Sequence, residues 1–85
     1  METEMSDTPR NLVAVIAEVL DIPEADLADS SSPESVSGWD SAKSMELVVY
    51  LEDLFELQFS ADEIAAMTSV GEIRRLLIAK GLPVQ

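Results

Sequence analysis

The chain reads as a small all-α domain of four helices. Three observations predict it. Apolar residues recur at helical spacing in four separate windows, residues suited to capping a helix stand before each window, and no run alternates with the period of two that a strand requires. Eighty-five residues suit one domain with a single core.

Taken in order, residues 1–8 are polar and are expected to form a frayed tail. Thr8-Pro9 then combines a capping hydroxyl with a proline suited to a first helical turn. Leu12, Val13, Ile16, Val19 and Leu20 follow at helical spacing, and Pro23 ends the run, which predicts a first helix over about 9–21. The stretch from Asp21 to Asp40 is rich in serine and other turn formers, with Leu27 and Val36 as its isolated apolar residues. It predicts a long connection, pinned by those two side chains, that crosses the end of the bundle. Asp40 caps a second helix whose Leu47, Val48, Leu51, Leu54 and Phe55 make a wide core stripe. Ser60 through Glu63 is a capping box that opens a short third helix, with Ile64 and Met67 facing inward. Ser69-Val70-Gly71-Glu72 repeats the signature and opens a fourth, with Val70, Ile73, Leu76 and Leu77 on its apolar face. Gly81 and Pro83 close it. The domain therefore spans 9–81, and 82–85 form a short tail.

Composition excludes much chemistry. With no cysteine there is no disulfide, thiolate metal site or thiol nucleophile, and with no histidine there is no His-based triad or His-ligated zinc. Seventeen acids against five bases give a net charge of −12, which repels nucleic acid and anionic membranes and favours basic patches on other proteins. No Asp-x-Asp-x-Asp-Gly calcium loop is present, so no metal site is expected. The opening Met-Glu-Thr-Glu-Met is acidic and lacks the apolar run of a signal peptide. No segment nears the roughly 18 apolar residues that span a bilayer. A soluble, cytoplasmic monomer is expected.

One segment carries chemistry: Gly38-Trp39-Asp40-Ser41-Ala42-Lys43-Ser44-Met45-Glu46-Leu47. It sets a serine in the first turn of a helix, after a flexible glycine and a capping aspartate. A phosphate esterified to Ser41 would lie near free amides at the positive end of the helix. No base in the chain could activate the serine as a nucleophile, so catalysis by this chain itself is not expected. Ser44, one turn further in, is the rival and gains less from free amides. Trp39 reads as a loop anchor over the bundle and Tyr50 as packing with its hydroxyl at the edge.

Asp40-Ser41, then Met45-Glu46-Leu47-Val48-Val49, Leu51-Glu52-Asp53-Leu54-Phe55, Phe59 and Thr68-Ser69-Val70-Gly71-Glu72-Ile73 together resemble the acyl carrier protein family. The Trp-Asp-Ser form is similar to a subset of discrete carriers. The likeness runs from about residue 10 to residue 80, and it is the joint spacing that carries it. It implies a four-helix bundle of acyl-carrier-protein type, with a long loop between the first two helices and a short third helix. It further implies a covalent 4′-phosphopantetheine on Ser41, beside Asp40, holding acyl or related cargo as a thioester. The reactive sulfur then arrives with the cofactor, as a cysteine-free chain requires. The implied partners are a phosphopantetheinyl transferase, an acyl-loading ligase or acyltransferase, and synthase or transferase enzymes with basic patches. Met45, Glu46, Val49, Glu52, Asp53, Asp62 and Glu63 are the implied docking residues. Ala42, Lys43, Ala65 and Ala66 depart from the common pattern and favour a specialised pathway of polyketide, lipid or peptide-like synthesis over housekeeping fatty-acid synthesis. The alternative is an acidic helical adaptor that binds a basic partner without a cofactor.

Overall fold

The computed structural model describes residues 11–85. Helix α1 (Leu12–Leu20) is followed by one 3-10 turn at Glu24–Asp26, then α2 (Ser41–Phe55), α3 (Ala61–Ala66) and α4 (Val70–Ala79). No strand element forms among the described residues. The four expected helices are present and in the expected order. The Thr8-Pro9 opening lies outside the described residues. Helix α1 begins later than expected, after Asn11, whose extended backbone and side-chain oxygen cap it by accepting from the Ala14 amide at 3.3 Å.

Three helices end on a left-handed residue: Asp21 (φ 59°), Glu56 (φ 55°) and Gly81 (φ 80°). In each case the next amide reaches back five residues, Ile22 to Ala17 at 3.0 Å, Leu57 to Glu52 at 3.1 Å and Leu82 to Leu77 at 3.0 Å. That pattern satisfies carbonyls the helix leaves unpaired. Only one of the three has the glycine that favours this backbone. At Glu56 a left-handed L-residue costs about 1–2 kcal/mol, against about 0.5–1 kcal/mol of extra chain entropy for glycine. Its carboxylate also sits at the negative end of the α2 dipole. Glu56→Gly is therefore expected to stabilise the fold by about 1 kcal/mol and to raise Tm by roughly 5 °C, read by calorimetry.

The core is built from one stripe of each long helix: Leu12, Ile16 and Leu20 of α1, Leu47, Val48 and Leu51 of α2, and Val70, Ile73 and Leu77 of α4. Trp39 and Phe59 are buried with them. Helix α1 packs on both α2 and α4, while α3 leans on α4 and buries no residue fully. The α2 stripe fades in its last turn, where Leu54 and Phe55 are only half-buried. Residues 82–85 run back over the bundle: Leu82 and Val84 pack on the core, and the Gln85 carbonyl accepts from the Leu12 amide at 3.2 Å.

Leu27 and Val36 pack on the core as the long connection requires. A second device holds it. The Val70 and Gly71 amides, which α4 itself leaves free, donate to the carbonyls of Ser31 (3.0 Å) and Asp29 (2.9 Å). Ser31 is buried, its hydroxyl accepting from the Ala28 amide at 2.9 Å, and the Asp29 carboxylate pairs with Arg74. The backbones approach so closely that a Cβ at residue 71 would lie 3.2 Å from the Asp29 carbonyl oxygen. Glycine fits there for that reason.

The capping box at Ser60 forms in full: its hydroxyl accepts from the Glu63 amide at 3.2 Å, and Glu63 accepts from the Ser60 amide at 2.9 Å. The other Glu63 oxygen meets Lys80 of α4 at 2.7 Å. Lys80, and next the Ser60 amide, hold this carboxyl below its ordinary value of 4.5. A group whose pKa falls on folding stabilises above its unfolded pKa and loses that contribution as pH drops through the folded one. The stability advantage of the native chain over Glu63→Gln is therefore expected to hold at neutral pH. It should shrink as pH falls below about 4.5, read from Tm against pH. At Ser69 the hydroxyl caps the Glu72 amide at 3.2 Å, but the Glu72 carboxylate turns to Arg75 instead of returning.

Candidate functional site

The Asp40 backbone is extended, and its Oδ1 accepts from the Lys43 amide at 2.9 Å, so this carboxylate ends one helix face cleanly and fixes where α2 begins. Ser41 is thereby the first helical residue and is exposed. Its own amide and that of Ala42 have no acceptor among the described residues, which leaves two donors beside the hydroxyl at the positive helix end.

Ser44 is differently placed. Its hydroxyl accepts from the Trp39 indole N–H at 3.0 Å and is half-buried. Trp39 is 2% exposed, an anchor locked under the start of α2. The rival serine is committed to holding that anchor.

Downstream, α2 exposes Met45 (52%) and Val49 (56%), unusual for side chains this apolar. With Ala42, Glu46, Tyr50 and Asp53 they line an open groove of about 400 Å³. Lys43 pairs with Glu46 at 3.4 Å. Two of the anticipated surface acids are engaged inside the fold. Glu52 accepts from the Phe59 amide at 3.0 Å, tying α2 to the turn before α3, and Glu63 is held by Ser60 and Lys80. Asp62 is exposed on α3, apart from the groove. The structure thus brings Ser41, Met45, Glu46, Val49 and Asp53 onto α2, and gives Glu52 and Glu63 structural partners. No three acids converge as a metal site among the described residues, and no described helix is long and apolar enough to cross a membrane.

The profile of a family described as the phosphopantetheine attachment site matches residues 10–77. The chain belongs to this family. A solution NMR structure of holo acyl carrier protein from Geobacter metallireducens is similar at a TM-score of 0.72 and 28% identity, covering 81% of this chain and 79% of that one. A candidate acyl carrier protein from Mycobacterium tuberculosis gives a TM-score of 0.70 at 22% identity, covering 81% and 92%, and speaks for the fold alone. The all-α bundle is thus that of an acyl carrier protein, and the family's cofactor is a covalently attached 4′-phosphopantetheine. The residues present fit such a group: an exposed hydroxyl at a helix mouth, two unengaged amides, and no thiol that would compete with the arm's own.

The indole–Ser44 bond and the Glu52–Phe59 bond were not visible in the sequence. Neither spacing belongs to a capping or pairing rule, so no local signal marks them.

Proposed function

We propose that Ser41 carries the 4′-phosphopantetheine arm, and that the chain presents acyl or related intermediates as thioesters to partner enzymes without catalysing a reaction itself. The observation that carries this reading is the exposed Ser41 hydroxyl in the first turn of α2, beside two unengaged amides. In the loading step the Ser41 oxygen bonds to phosphorus and a pyrophosphate P–O bond of coenzyme A breaks. Adenosine 3′,5′-bisphosphate leaves, and the serine proton passes to the transferase or solvent. Incubation with coenzyme A and a promiscuous phosphopantetheinyl transferase tests it by intact mass: one added arm supports the reading. No gain with several transferases favours the cofactor-free adaptor, which the exposed Met45 and Val49 would equally serve.

The groove on α2 is the proposed docking face for the transferase, the loading ligase or acyltransferase, and downstream enzymes with basic patches. Met45 and Val49 supply apolar contact, and Glu46 and Asp53 steer it. Asp62 extends the negative field. Ala42 and Lys43 at the arm, with Ala65 and Ala66 on α3, favour a specialised biosynthetic pathway. Because Val49 is exposed, Val49→Lys is expected to change stability by less than about 0.5 kcal/mol. It should nevertheless slow transferase loading about tenfold, an interface loss of roughly 1.4 kcal/mol, measured as initial rates against protein concentration.

A further inference from the structure

We infer that Trp39 plugs the bundle at the end where the arm begins, so that this carrier holds its acyl groups outside its core. The inference rests on the carrier reading and says where its cargo sits. A small space beside the start of α2 lies between α2, α3 and α4 and is walled by Trp39, Ser44, Met45, Leu47, Val48, Ile64, Met67 and Ile73. It measures about 40 Å³. An apolar cavity that takes up a benzene-sized guest has roughly 150 Å³, so this one is far too small for a chain of several carbons.

The indole is what keeps it small. Trp39 is 2% exposed and stands two residues before Ser41, with its N–H on the Ser44 hydroxyl at 3.0 Å. A chain entering here would have to lift the ring and break that bond, leaving a buried indole donor and hydroxyl unpaired. The methionines at the wall are flexible, but half of the lining is the close packing of Leu47, Val48, Ile64 and Ile73. Ser44 is the polar residue of this lining, and its oxygen is already engaged. The cavity therefore offers no anchor for a polar cargo either.

The native chain is loaded by a transferase from acetyl-, butyryl- and octanoyl-coenzyme A, and intact mass confirms the arm. Failure to load counts against the carrier reading, separately from this inference. Trp39 is the one tryptophan, so its emission reports directly on the plug. The emission maximum is expected to be the same in the apo, acetyl and octanoyl forms. Hydroxylamine cleavage, normalised to the matching pantetheine thioesters, should proceed within about twofold for octanoyl and acetyl, because no sheltered state is populated. Trp39→Leu opens the space and is expected to protect octanoyl about tenfold over acetyl; Trp39→Phe, with a smaller ring and no N–H, serves if the leucine variant does not fold. A native octanoyl form protected about tenfold, or a red-shifted emission, would overturn the inference. Folded variants that protect octanoyl no better than the native chain would overturn the assignment to Trp39.

Discussion

Ser41→Ala is expected to abolish phosphopantetheine loading while leaving the fold intact. The hydroxyl is exposed and makes no bond to another described residue, so its removal should change stability by no more than about 0.5 kcal/mol. The contrast with two neighbours makes the result specific. Ser44→Ala should still load, but it strands the Trp39 indole N–H in the interior and should cost roughly 1–3 kcal/mol. Asp40→Ala should also load, more slowly, and lose about 1 kcal/mol with its cap. Intact mass and thermal melts on the three variants separate attachment from structure. Loading that survives in Ser41→Ala and vanishes in Ser44→Ala would move the arm to the other serine.

Leu51→Ala is expected to come near to unfolding the domain. Leu51 is fully buried where α2 meets α1, and such truncations cost roughly 2–5 kcal/mol from lost transfer energy and the cavity left behind. A domain of this size has a total stability of only about 5–10 kcal/mol. A loss near 3 kcal/mol should lower Tm by roughly 15 °C. Leu54→Ala, on the same helix but half-buried, is expected to cost under about 1 kcal/mol. Equal losses at the two positions would mean that the α2 stripe does not end where the core does.

That pair also marks how far the sequence could be read. Leu47, Val48 and Leu51 obey a period set by local geometry, and the stripe was visible from spacing alone. Leu54 and Phe55 continue the same spacing but are only partly covered, Phe55 at the edge of the core and Leu54 outside it, and no periodicity counts neighbours. Asp40, Ser60 and Ser69 were legible because a cap and the amide it serves lie three residues apart. The stops at Asp21 and Glu56 were not, since the expected signal for a left-handed residue is glycine and here acids take its place. Asn11 was hidden behind the equally plausible Thr8-Pro9, which lies outside the described residues.

The site shows the same division. The place of Ser41 at the mouth of a helix follows from its immediate neighbours, and Met45 and Val49, which the family likeness implies as docking residues, are exposed on α2. The internal partners of Glu52 and Glu63 depend on residues 7 and 17 positions away, and those distances are closed only by the tertiary fold. On a chain with seventeen acids, composition could not say which of them face a visitor and which are spoken for at home.

The backbone bonds from Val70 and Gly71 to residues 29 and 31 have a mechanical result. The middle of the long connection is the lid on the first turn of α4, so the two segments must open together: peeling the one exposes raw donors on the other. Deuterium uptake at Val70 and Gly71 should therefore keep pace with uptake through 28–32, and not with the interior turns of α4. An enzyme that grips that connection is in effect holding the start of the last helix.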